Sequence, residues 1–142
     1  MKWLKWFLAG TFAVPLGHQL ALWALNAAHF IDRAPFAMTA TKPFGVPSVI
    51  SLSFWGGVWG ILLGLILERT RGAMYWVLAI VVGAIAPTLV AAFVVAPLKG
   101  MQMSGNPTKL LATGLIVNAV WGLATAAYYR VFESSRSRVA EE

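Results

Sequence analysis

Long uncharged apolar stretches set the pattern of this chain. No Asp, Glu, Lys or Arg occurs between Lys5 and Asp32, from Pro43 to Leu67, from Gly72 to Leu98, or from Leu110 to Tyr129. Each stretch can cross a hydrocarbon core, which takes ~20 helical residues. The pattern predicts an all-α integral membrane protein. Its four transmembrane helices fall near 6–31, 48–67, 73–96 and 108–132, in a compact antiparallel bundle. Strands are excluded as spans, because four cannot close a barrel. A single domain, 1–132, takes nearly the whole chain, and 133–142 reads as a mobile charged C-terminal tail.

The first span is apolar but not uniformly so. Thr11, His18, Asn26 and His29 project onto one helical face, with Gln19 toward its edge; at ~100° per residue they fill a stripe roughly 100° wide. Hydrocarbon cannot satisfy such groups, so the stripe must face protein, water or a ligand. Pro15 removes a backbone donor and frees the Thr11 carbonyl, which predicts a kink there. In the fourth span Gly114, Asn118, Gly122, Thr125 and Tyr129 share a face, with Trp121 at its edge. The expected polar seam is therefore Thr11, His18, Gln19, Asn26, His29, Asn118 and Thr125, with Asn118 bonding helix 1 through His18 or Asn26.

Small residues mark the packing faces. Ser53, Gly56, Gly57, Gly60 and Gly64 of the second span let a neighbouring backbone approach closely, as do Gly114 and Gly122 of the fourth. Val58-Trp59-Gly60 and Val120-Trp121-Gly122 lie at similar depth and hint at two duplicated helix pairs. A second kink is expected at Pro87, and Pro97 is expected to end the third helix. Residues 32–47, with Pro35, Pro43 and Pro47, read as an extended segment on the membrane surface. Trp3, Trp6 and Trp76 read as interfacial, and Trp55, Trp59 and Trp121 as deeper.

Charge sets orientation. Lys2, Lys5, Arg69, Arg71, Arg130, Arg136 and Arg138 lie on one side of the spans, and Arg33, Lys42, Lys99 and Lys109 on the other. Basic residues favour the cytoplasmic face, so both termini are expected inside, in the inner (cytoplasmic) membrane of a bacterium. The net charge of +6 is spread along the helix flanks rather than gathered in one patch. It fits attraction to anionic headgroups, and no nucleic-acid partner is expected.

Candidate chemistry is thin. The chain has no Cys, which removes disulfides and thiol chemistry. No Asp or Glu lies in a span, so a proton- or sodium-coupled carrier would lack its usual carboxylate. His18 is the one ionisable group deep in the membrane, and two roles fit it: an axial ligand to haem or chlorophyll, or a neutral side chain bonded to another helix. His29 lies about 16 Å further along the axis, too far to share a metal ion. Its imidazole with Met38, Met101 and Met103 would suit copper, but Met also serves as apolar filler, and no metal site is assigned. The expected function is a non-catalytic accessory or structural subunit of a larger membrane assembly. Its partners would be the lipid bilayer and other membrane subunits or further copies of itself. The alternatives are a passive transporter, channel or lipid-handling protein using the helix 1 seam, and a pigment-binding subunit with His18 as ligand.

Overall fold

The structure, a computed structural model, describes residues 1–100 and 105–139. Four helices are long and apolar enough to cross a membrane: α1 (Lys2–Ala27), α2 (Ser48–Leu67), α3 (Gly72–Leu98) and α4 (Pro107–Val139). The loop after α1 carries a two-residue antiparallel ladder, β1 (Ala40–Thr41) with β2 (Val46–Pro47). The loop is tied down rather than simply extended: the Ser48 hydroxyl and Val49 N–H both donate to the Ala37 carbonyl. The end carrying Met1, the 68–71 turn and Glu133 is called the base; the end carrying the 28–47 loop is the crown.

Several boundaries differ from the sequence reading. α1 starts at Lys2 and stops at Ala27, so residues 28–31 are not helical. The stop is a Schellman arrangement. Phe30 N–H donates to the Leu25 carbonyl and His29 N–H to the Asn26 carbonyl, with His29 in the left-handed region at φ 56°. Gly or Asn is the usual occupant there, which is why the stop was missed. α4 continues through Val139, past the expected end near 132, and Glu133 belongs to the helix. α3 stays α-helical through Pro87 to Val90 and takes a π-helical turn at Ala91–Val95; Pro97 sits inside its last turn rather than ending it. The matching turn in α1 spans Val14–His18, around Pro15.

The helices pack as two antiparallel pairs, α1 with α2 and α3 with α4, joined mainly where α1 meets α4. Each pair crosses backbone on backbone. A Cβ on Gly10 would lie 2.9 Å from the Gly60 Cα and against the Gly56 carbonyl; one on Gly83 would lie 2.8 Å from the Gly122 Cα and 3.1 Å from the Asn118 carbonyl. In return, a Cβ on Gly60 would strike the Trp6 carbonyl, and one on Gly122 the Ala79 carbonyl. The crossings match position for position: α1 corresponds to α3 and α2 to α4. α1 and α3 run in the same direction, so the correspondence is that of a parallel repeat.

Above and below the crossings the core is Trp6, Leu63, Leu67, Tyr75, Ala79, Trp121 and Ala126. Trp6 is fully buried, against the interfacial expectation, because its ring covers Gly64 and stacks on Tyr129 with 3.7 Å between ring centres. Trp3 is exposed beneath the Lys2 ammonium.

Two substitutions test this account. Gly60→Leu should lower stability in detergent by about 1–3 kcal/mol, because neither facing backbone can give way. An unchanged melting temperature, with Ser53→Ala as the neutral control, would remove the crossing from the explanation. His29→Gly should raise stability by up to ~1 kcal/mol by relieving the left-handed conformation; a loss would mean that the His29 side chain is itself needed.

Candidate functional site

The π turn breaks the polar stripe of α1. One extra residue in a turn rotates everything after it by about one residue's angle, ~100°. Thr11, before the turn, sits on the α2 side against Gly57, and its buried hydroxyl has no hydrogen-bond partner among the described residues. Gly17, inside the turn, faces Val120 and Ala124 of α4. Gln19, just after it, is buried and its Oε1 accepts from the Phe36 N–H of the crown loop at 2.7 Å. Asn26 donates to the Ile31 carbonyl at 3.1 Å, and His29 is exposed. The stripe thus fastens the crown loop to α1.

His18 is half-buried, and its Nδ1 lies 3.2 Å from Gln19 Nε2. The Phe36 N–H fixes the Gln19 oxygen, so the Gln19 amide must donate toward the ring. Nδ1 then accepts, and a neutral ring carries its proton on Nε2. That tautomer has no free lone pair for a metal. Among the described residues no three His, Asp or Glu side chains converge on a metal position. Met101 and Met103 lie outside the described residues.

Asn118 does not reach α1. Its Nδ2 donates to the Thr88 hydroxyl of α3 at 2.9 Å, inside the α3–α4 pair, and Gly114 sits against the same Thr88. Thr125 donates to the Trp121 carbonyl of its own helix, and Ser53 to the Val49 carbonyl of its own. In the middle of the bundle α1 and α4 are joined instead through Trp121 Nε1, which donates to the Gly10 carbonyl at 3.0 Å. This bond is buried, and the Trp121 ring passes beside Gly56.

The richest cluster of chemistry lies at the base, where the sequence reading placed no site. Lys2 and Trp6 hold Glu68 at 2.6 and 3.2 Å, and Lys5 holds Glu133 at 2.5 Å. These contacts clamp α1 to the ends of α2 and α4. Tyr75 donates to the Ala126 carbonyl at 2.9 Å, and the Arg130 guanidinium lies 4.4 Å over its ring. Around these groups opens a mouth of about 630 Å³. Both of its carboxylates are taken by lysines, while Arg71 and Arg130 form no ion pair among the described residues. A mouth so arranged presents guanidinium groups to an anion.

Just above, between α2 and α3, runs an apolar cleft of about 80 Å³ lined by Trp59, Leu62, Ile66, Val82, Ala86 and Trp121, among others. Ile66 of the cleft stands one residue before Leu67 of the mouth, so the two spaces follow one another along α2. Comparison with protein-family models, curated proteins and solved structures returns no match for this chain.

The Asn118–Thr88 bond is testable by a double-mutant cycle. Asn118→Leu and Thr88→Val should each cost about 0.6–1 kcal/mol in detergent, as intramembrane polar pairs do. The double variant should lose little more than either single one; fully additive losses would show that the pair is not coupled.

Proposed function

We propose that this chain is a small multi-pass protein of a bacterial cytoplasmic membrane, with both termini inside. In this reading it serves as a non-catalytic accessory or structural subunit of a larger membrane assembly. The observation that carries the reading is how the centre of the bundle is filled. Gly10 on Gly60, Gly83 on Gly122, and the Trp6 and Trp121 rings occupy it. Gln19 and Asn26 of α1 are engaged in holding its crown loop. What remains to meet other molecules is the outside, above all α3, the least buried span, with Ile80, Ile85, Leu89 and Phe93 exposed. Orientation rests on the basic residues gathered at the base, Lys2, Lys5, Arg69, Arg71 and Arg130.

A lipid-handling role is the second reading, favoured by the apolar cleft between α2 and α3 and the arginine-bearing mouth at the base. A pigment-binding role is weakened by the His18 tautomer that Gln19 and Phe36 impose.

The absence of Cys makes the topology easy to probe. In intact cells a membrane-impermeant maleimide should label Met38→Cys and leave Thr70→Cys untouched; the reverse pattern would invert the orientation. Photo-crosslinking from Phe93 on α3, followed by purification in mild detergent, should capture a second membrane chain. A stable monomer with no cross-linked neighbour would overturn the accessory role.

A further inference from the structure

We propose that the base mouth and the α2–α3 cleft together form a binding site for one anionic glycerophospholipid. Its phosphate lies between Arg71 and Arg130, and an acyl chain lies in the cleft. The proposal needs the chain to sit in a bilayer and is independent of whether it has a protein partner.

Four observations meet here. The first is placement along the membrane normal. Arg71 is the last charge before the uncharged stretch 72–98, and Arg130 the first after 110–129. Both therefore stand at the edge of the apolar zone, where phosphates lie, flanked by Tyr75 and Tyr129 as interfacial aromatics are.

The second is charge. The mouth brings together Lys2, Arg71 and Arg130 with Glu68 and Glu133. Lys2 and Lys5 occupy the two carboxylates, so neither carboxylate neutralises the arginines. Arg130 is steadied from one side by the Tyr75 ring and lines the mouth. Guanidinium groups bind phosphate by paired, charge-assisted hydrogen bonds.

The third is proximity. On α2 the lowest lining residue of the cleft, Ile66, stands one residue before Leu67 of the mouth, and the cleft follows α2 up to Trp59, about 10 Å at 1.5 Å per residue. A free phosphate would use the mouth alone. A phospholipid uses both, because its phosphate and acyl chain are covalently joined across this same boundary.

The fourth is sequence. The cleft persists because its walls are the wrong shape to close. Where α1 meets α4, Gly17 lies against Val120 and Ala124, whereas the α2 side of the α2–α3 seam carries Trp59, Leu62 and Ile66. Bulkier side chains hold that seam apart, and the space between them is apolar.

The test uses the full chain in mild detergent, or the complex it purifies with. The chain is incubated with equal amounts of dioleoyl-phosphatidylglycerol and dioleoyl-phosphatidylcholine, and bound lipid is read by native mass spectrometry. The expected result is one phosphatidylglycerol retained about tenfold over phosphatidylcholine, because both offer a phosphate to the arginines but the choline ammonium offsets its charge. Arg71→Gln with Arg130→Gln should abolish the preference. Arg71→Gln alone should reduce it; Arg71 is exposed and forms no ion pair among the described residues, so this variant leaves the fold intact. Ala86→Phe, which fills the cleft, should lower retention of phosphatidylglycerol, and Lys99→Gln at the crown should change nothing. Equal retention of both lipids overturns the proposal, as does a preference that survives both arginine substitutions. Displacement by millimolar inorganic phosphate with no effect of Ala86→Phe overturns it in favour of a simple phosphate site.

Discussion

A helix carbonyl that loses its N–H partner must find another donor, and in apolar surroundings leaving it unmet costs several kcal/mol. That demand sits at the centre of this bundle. Pro15 has no N–H, and the Val14 N–H turns back to the Thr11 carbonyl, so the Gly10 carbonyl has no helical donor. Trp121 of α4 supplies one. The indole can reach only because Gly56 gives its ring room and because Gly10 lies flush against α2. One unmet carbonyl thus couples the α1–α2 crossing to α4. The Trp6–Tyr129 stack and the Lys5–Glu133 pair extend the same contact to the base.

Much of this was legible in the chain and some was not, for identifiable reasons. The uncharged stretches mark four spans because charge in hydrocarbon is costly wherever it falls. Gly56, Gly60, Gly64, Gly114 and Gly122 announced close packing through spacing alone, and each meets a neighbouring helix. Gly10, Gly17 and Gly83 do the same work without being singled out as packing positions, since an isolated glycine carries no periodic signal. The α1 seam failed for a sharper reason. A helical projection assumes a constant angle per residue, and the π turn at Val14–His18 violates it, so Thr11 and Gln19 come to face different elements. Asn118 was placed at the right depth and given the wrong partner, because its neighbour across the pair is Thr88 of α3. The base was overlooked because its residues, Lys2, Trp6, Glu68, Tyr75, Arg130 and Glu133, come from every helix and share no local pattern.

The equivalence of the two crossings gives the hint in Val58-Trp59-Gly60 and Val120-Trp121-Gly122 a geometric meaning. Gly60 and Gly122 take the same place in their pairs. Trp59 and Trp121 do not share a role. Trp121 donates to the Gly10 carbonyl, whereas Trp59 lines the cleft beside Gly83 and donates no hydrogen bond among the described residues. Pro87 leaves the Gly83 carbonyl without the N–H four residues ahead, as rearrangement around Pro15 does for Gly10. The two halves share a plan, and one of its two possible seams is fastened.

That asymmetry has a mechanical meaning. Within each pair, backbone meets backbone and no side chain can yield, so each pair moves as a rigid plate. The plates are stitched along α1 and α4 and barely touch along α2 and α3. The opposite edge is tied at one corner only, by the 68–71 turn that joins α2 to α3 at the base. Two plates stitched along one edge and tied at one corner part most easily at the corner left over, so any change in their angle leaves both glycine crossings in place and is felt as a change in α2–α3 spacing toward the crown.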